Sequence, residues 1–200
     1  MVLDEAYVDF SPPHSSLCTA VTEYPNLIVL QTLSKAFGLA GIRLGIAFAS
    51  PEVANLFNCM KAPYNISSPA SALGMRALSP EGLAVMRYNV NDLLRQRDGL
   101  VDSLRQGKES RKEGLPGIGE IIGGLDANFV LVQIVNGKGE PDNVIAENLY
   151  TSLAESMGVV VRFRGNERGC KGALRITVGT KDDMQTLLLR LQEWQHSLVR

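Results

Sequence analysis

The segment NLIVLQTL (Asn26–Leu33) is the feature that most limits how this chain can fold. It is short, dense in Leu, Ile and Val, and reads as a strand buried on both faces. Such a strand needs helices on its sheet, and helix signals follow. A second apolar run, IRLGIAFAS (Ile42–Ser50), is broken by Gly45. Three Ser-Pro openings come next: SPEVANLFNCM from Ser50, SPASALGMRALS from Ser68, and a longer segment from Ser79. In each the serine is an N-cap candidate and the proline occupies the first helical turn. Along the third, Leu83, Met86, Val90, Leu93, Leu94, Val101 and Leu104 form one helical stripe, long enough to link two domains.

Between Gly107 and Gly124 the composition turns to charge and glycine, which marks a connector and a domain boundary. The expected division is therefore 1–106 and 107–200. The second part reads as a strand (Asn128–Val135), a helix (Asp142–Met157) stopped by Gly158, two strands (Val159–Phe163 and Ala173–Val178) and a last helix (Thr180–Leu198). Thr180 with Asp183 three residues on is a capping-box pattern. This half is a small α+β layer, and the chain as a whole is α/β. The opening MVLDEAY starts directly inside strand-like residues, which points to the second part of a longer protein.

Bulk composition excludes several classes of function. A net charge of −1 offers no electrostatic footprint for nucleic acid or an acidic membrane surface. Three cysteines (Cys18, Cys59, Cys170) are odd in number, far apart and without a Cys-x-x-Cys pair. They indicate reduced thiols in a cytosol-like compartment rather than a disulfide frame or zinc site. His14 and His196 are the only histidines, too distant in sequence for a histidine-rich metal centre. No apolar run reaches membrane-spanning length. The expectation is a soluble, cytoplasmic protein acting on small molecules.

The chemistry centres on QTLSKAFGLAGIRLG, Gln31–Gly45. Lys35 follows a strand-like run and precedes a glycine-rich turn. A phosphate-binding P-loop places its glycines before the lysine, and here they come after it. A Ser-Lys pair alone is a solvated loop as readily as a site. Asp4 and Tyr7 in LDEAYVDF shift that balance. Pyridoxal 5′-phosphate (PLP) needs an amine for its aldehyde, a carboxylate for its ring nitrogen, a donor near its phenolic oxygen, and cationic or hydroxyl groups on its phosphate. Lys35, Asp4, Tyr7, Ser34 and Arg43 offer one residue type for each need.

DEAYVDF and TLSKAFGLAGIRLG resemble signature segments of fold-type I, class I/II aminotransferases, most closely the histidinol-phosphate aminotransferase branch. APYNISSPA, ALSPEG and RGCKGALRITVGT extend the likeness along nearly the whole chain. The resemblance implies part of a PLP-binding large domain, with a mostly parallel sheet, followed by a small C-terminal domain. It implies Lys35 as the Schiff-base lysine, Asp4 on the ring nitrogen, Tyr7 on the ring oxygen, and Ser34 and Arg43 on the cofactor phosphate. Arg175 matches the family arginine that grips a substrate carboxylate or phosphate, and Arg162 the second anion-binding arginine, with Arg164 beside it as competitor. Histidinol phosphate and glutamate or 2-oxoglutarate are the implied substrates, and a homodimer the implied assembly. The likeness covers only the C-terminal half of such an enzyme. A catalytically silent chain, and a PLP decarboxylase of the threonine-phosphate type, therefore stand as alternatives.

Overall fold

The computed structural model describes residues 1–198. They form two compact units, Met1–Asn91 and Asp92–Arg200. The division falls inside a long helix, ahead of the 106/107 boundary expected from composition. The reason is packing: the later turns of that helix send Leu100, Val101 and Leu104 into the core of the second unit.

The first unit holds a three-stranded sheet in the order β1 (Val2–Asp4), β2 (Ile28–Thr32), β3 (Gly45–Phe48). β1 and β2 run parallel with Asp4 opposite Leu30, while β2 and β3 are antiparallel, so the sheet is mixed rather than mostly parallel. Gly45 opens β3 instead of interrupting a longer strand. The residues before it, Ala40–Ile42, make a 3₁₀ turn, and Arg43 takes a left-handed conformation (φ 55°) that turns the chain into the strand. Registers place Leu3, Val29 and Phe48 on one face, where Val29 is fully buried, and Val2, Asp4, Leu30 and Ala47 on the other, which is exposed.

Helices α1 (Pro51–Met60), α2 (Ser68–Ala77) and α3 (Pro80–Glu109) follow. Ser50 caps α1 by accepting from the Val53 amide, and the Ser79 hydroxyl accepts from Gly82 at the start of α3. α2 departs from the expectation by one residue: Ser67, not Ser68, is its cap.

The second unit is an antiparallel sheet in the order β4 (Gly117–Ile122), β5 (Phe129–Val135), β7 (Ala173–Thr177), β6 (Arg162–Phe163). β4 corrects the reading of residues 107–124 as a plain connector. α3 continues to Glu109, and Ile118, Ile121 and Ile122 then pair with β5 through a bulge. Gly119 is required there, because a Cβ would lie 2.6 Å from Val135 Cγ1 and 3.1 Å from the Gln133 carbonyl oxygen. β6 is also shorter than expected, since only Arg162 and Phe163 pair with β7.

Val130, Val132 and Ile134 of β5 and Leu174 and Ile176 of β7 turn one sheet face into the core. α4 (Asn143–Glu155) and α5 (Lys181–Ser197) bury Leu149, Leu153, Leu187 and Trp194 in the same cluster. No helix among the described residues is long and apolar enough to cross a membrane.

Candidate functional site

In the first unit the chemistry collects where the parallel pair β1–β2 ends. Parallel strands end on the same side, so Asp4 at the close of β1 and the loop after β2 are neighbours. The loop is tightly built. Leu33 and Ala36 are buried on either side of Lys35. The Gly38 amide donates to the Lys35 carbonyl at 3.0 Å, and Leu39 donates to Leu33 at 3.0 Å. Gly38 supplies the positive φ of 66° that this closure needs. The backbone is therefore pinned while the Lys35 side chain projects outward and is exposed.

Lys35 Nζ lies 5.3 Å from the centroid of the half-buried Tyr7 ring. The amine and the phenol thus share one locality, although 28 positions of chain separate them. Asp4 is exposed, and its Oδ1 accepts from the Ala6 amide at 3.0 Å, which fixes the carboxylate at the strand end. The Ser34 and Thr32 hydroxyls are 2.9 Å apart, and the Ser34 amide donates to Thr32 Oγ1 at 3.1 Å. Arg43 is placed differently. Its guanidinium donates to the Ala40 carbonyl at 2.9 Å, within its own turn, and it is not hydrogen-bonded to Ser34 or Lys35.

Behind this cluster, on the covered face of the sheet, is Glu5, a buried carboxylate that sequence reading overlooks. It accepts from the Ser16 hydroxyl (2.7 Å), the Leu17 amide (2.7 Å) and the Gln31 side-chain amide (2.9 Å). Burial is the largest single influence on its carboxyl and pushes it up. The three hydrogen bonds together outweigh burial and hold it below the usual carboxylate range. Nearby, Asp9 is pushed upward, first by desolvation and then by the charge on Glu5. Glu5 ties the segment after β1 to Gln31 on β2, joining the two strands that carry Asp4 and the lysine loop. Partners 12 and 26 residues away leave no local signal for such a clamp. Thr32 is a second residue that sequence reading passes over, although the spacing Thr-x-Ser just before Lys35 hints at it.

In the second unit, Arg162 on β6 is directly opposite Arg175 on β7. Like charges opposed across an antiparallel pair repel, and among the described residues neither arginine belongs to an ion pair. Arg175 packs its guanidinium over Phe129, with Cζ 5.2 Å from the ring centroid, and its buried Nε has no hydrogen-bond partner. Both side chains occupy the sheet face opposite Leu174 and Ile176, which point into the core. Arg164, the competitor for Arg162, is instead committed to Glu167 at 2.6 Å.

Comparison with known proteins matches this architecture. The family model for aminotransferase class I and II covers residues 1–191. The histidinol-phosphate aminotransferase of Candida maltosa is 48% identical over 94% of this chain and 46% of its own length. That of Schizosaccharomyces pombe is 48% identical over 97% of this chain and 50% of its own length. Among solved structures, the histidinol-phosphate aminotransferase of Sinorhizobium meliloti in complex with pyridoxal-5′-phosphate superimposes with a TM-score of 0.81. It covers 98% of this chain and 49% of that one, at 23% identity, a likeness of fold. The chain spans about half the length of the curated relatives it matches. It belongs to the class I and II aminotransferase family.

Proposed function

We propose that this chain carries the lysine and substrate-anion sites of a PLP-dependent histidinol-phosphate transaminase, with glutamate and 2-oxoglutarate as the second substrate pair. The observation that carries the reading is Lys35 Nζ beside Tyr7 at the carboxyl end of the parallel pair that also ends in Asp4. The donor set fits PLP: an amine, a carboxylate, a phenol and the paired hydroxyls of Thr32 and Ser34 occupy one strand end. When bound, PLP supplies a conjugated ring that accepts the electron pair left on a substrate carbon by a departing proton.

The chain's own groups do the rest. Lys35 would hold the cofactor aldehyde, and its amine, when free, would take the proton from the amine-bearing carbon of the substrate. Asp4 accepts the ring-nitrogen proton in a hydrogen bond and favours the protonated ring. Tyr7 donates to the ring oxygen, and Ser34 with Thr32 offers hydroxyls to the phosphate. Arg43 would add a guanidinium to the groups that hold the phosphate. The opposed pair Arg162 and Arg175 binds the substrate's anionic end. An anion between two unpaired guanidiniums relieves their repulsion and gives the buried Arg175 Nε a partner. A phosphate and a carboxylate both suit that fork, so one site can serve both half-reactions.

Borohydride reduction in the presence of PLP tests the reading. The label should map by mass spectrometry to Lys35, vanish in Lys35→Ala, and be lost when glutamate is added before reduction. Arg175→Ala should retain the label and require at least tenfold more glutamate for the same loss. A label on another lysine, or one indifferent to Lys35→Ala, overturns the assignment.

A further inference from the structure

Glu5 is the one charged side chain buried among the described residues, and the chemistry proposed above gives it no task. Burying a carboxylate is costly, and a well-packed apolar residue in its place is often as stable or more so. No lysine or arginine among the described residues forms an ion pair with it, so it neutralises no charge. What a carboxylate offers and an apolar side chain lacks is direction: it fixes the groups that donate to it.

Those donors come from two stretches of chain. The Ser16 hydroxyl and the Leu17 amide belong to the segment that returns toward β2, and the Gln31 side chain to β2 itself. Gln31 Nε2 also reaches Ser16 Oγ at 3.2 Å, and the Cys18 amide donates to the same oxygen at 3.3 Å, so the donors are tied to one another. The Glu5 backbone is engaged as well. Its amide donates to the Leu30 carbonyl at 2.8 Å, just past the last paired residues of β1 and β2, and its carbonyl accepts from Val8 at 3.1 Å.

The candidate cofactor groups branch from these fixed points. Asp4 immediately precedes Glu5, and the turn that closes on the Glu5 carbonyl carries Tyr7 above the buried Phe10. On the other strand Gln31 adjoins Thr32, whose Oγ1 accepts from the Ser34 amide beside Lys35. The acid and the phenol thus hang from one strand end and the amine from the other, and the span between them depends on how the two ends are held. We infer that Glu5 is a positioning residue: its hydrogen bonds to residues 16, 17 and 31 set Asp4 and Tyr7 against Lys35, and with them the grip on the pyridine ring. The inference rests on the cofactor site proposed above.

The test is PLP binding by the whole chain, read as affinity and as the pH midpoint of the visible band of the borohydride-reducible adduct. That midpoint reports the acid and the phenol around the ring. Glu5→Ala should weaken PLP binding about tenfold and move the midpoint by about half a unit. Glu5→Gln keeps the side chain's length and, with the Gln31 amide turned over, rebuilds the network, so it should match the parent in both readouts. Leu27→Ala opens a cavity in the same unit but spares the brace; it should lower the melting curve and change neither readout. Gln31→Ala cuts the tie to β2 alone and should shift both readouts the way Glu5→Ala does, by less; it decides the matter if Glu5→Ala does not fold. Alanine variants that bind and titrate like the parent would overturn the inference and leave the cofactor assignment standing. So would a Leu27→Ala variant that shifts both readouts as far as Glu5→Ala, or a Glu5→Gln variant as weak as Glu5→Ala. A parent chain that takes up no PLP at Lys35 would instead sink the cofactor assignment, and this inference with it.

Discussion

The two units solve the same problem unequally. The second closes on itself: strands β4, β5 and β7 and helices α3, α4 and α5 feed one cluster in which Ile134, Leu149 and Leu153 are completely buried. The first buries Phe10, Leu27, Val29 and Leu33 beneath its sheet but leaves α1 and the opposite sheet face in water. The candidate cofactor residues belong to the unit with the open surfaces, and the paired arginines to the closed one. Stability and cofactor chemistry are thus distributed differently, and the first unit's rigidity depends on local devices more than on a core.

The sharpest way to break this comparison is a matched pair of leucine truncations. Leu149→Ala should cost the second unit about 3 kcal/mol, the sum of lost burial and the cavity left behind. Leu56→Ala, on a helix that buries nothing, should change stability by less than about 0.5 kcal/mol. Hydrogen exchange resolved by segment is the right measurement, since two units need not unfold together. Equal costs at the two positions would mean that α1 is packed in solution and that the contrast fails.

A smaller effect is expected at Glu5, the device that braces the first unit. Glu5→Ala strands the Leu17 amide and the Gln31 side chain without their acceptor and should cost about 2 kcal/mol. The pH dependence has a definite sign. The folded carboxyl is held below its ordinary value, so its stabilisation is present above the ordinary glutamate range and disappears as pH falls through the lower, folded value. Asp9 works in the opposite sense: burial first and the Glu5 charge second raise its carboxyl, so it takes up a proton earlier on acidification and sheds both penalties. Acid exchange profiles of residues 15–18 and β2 should therefore lose protection late, and Glu5→Ala should remove that acid step. An unchanged profile in the variant would show that the bracing lies elsewhere.

How legible each feature is in the sequence depends on the distance along the chain over which it is encoded. The Ser50 cap and the α3 stripe are local patterns that spacing reveals, whereas the Lys35 loop is legible through its residue types and its resemblance to a family segment. β4 was hidden because glycines and charges around Ile118, Ile121 and Ile122 outweigh three isoleucines in any compositional window. The opposition of Arg162 and Arg175 is a register fact, invisible until β6 and β7 are paired. Glu5 reads as an ordinary surface acid beside Asp4, and only the folded sheet brings Ser16, Leu17 and Gln31 to it.

The capping box of α5 gives the smallest effect and the most local test of the closed unit. Thr180 accepts from the Asp183 amide at 3.3 Å, and Asp183 Oδ2 accepts from the Thr180 amide at 2.9 Å and from its hydroxyl at 2.7 Å. The hydroxyl and then the amide of Thr180 hold the Asp183 carboxyl below the usual aspartate range. The half of the cap accepted by the Asp183 carboxylate is therefore intact above that range and weakens as pH falls through the folded value. Thr180→Ala removes one half of the exchange and should cost about 1 kcal/mol. Because Met184, Leu187 and Leu191 anchor the same helix in the core, the loss should stay local. Exchange should quicken at Asp183 and Met184 while amides beside Trp194 keep their protection. Fraying along all of α5 would instead show that the cap, and not the core, holds the helix down, and the second unit would then be less self-sufficient than its buried cluster implies.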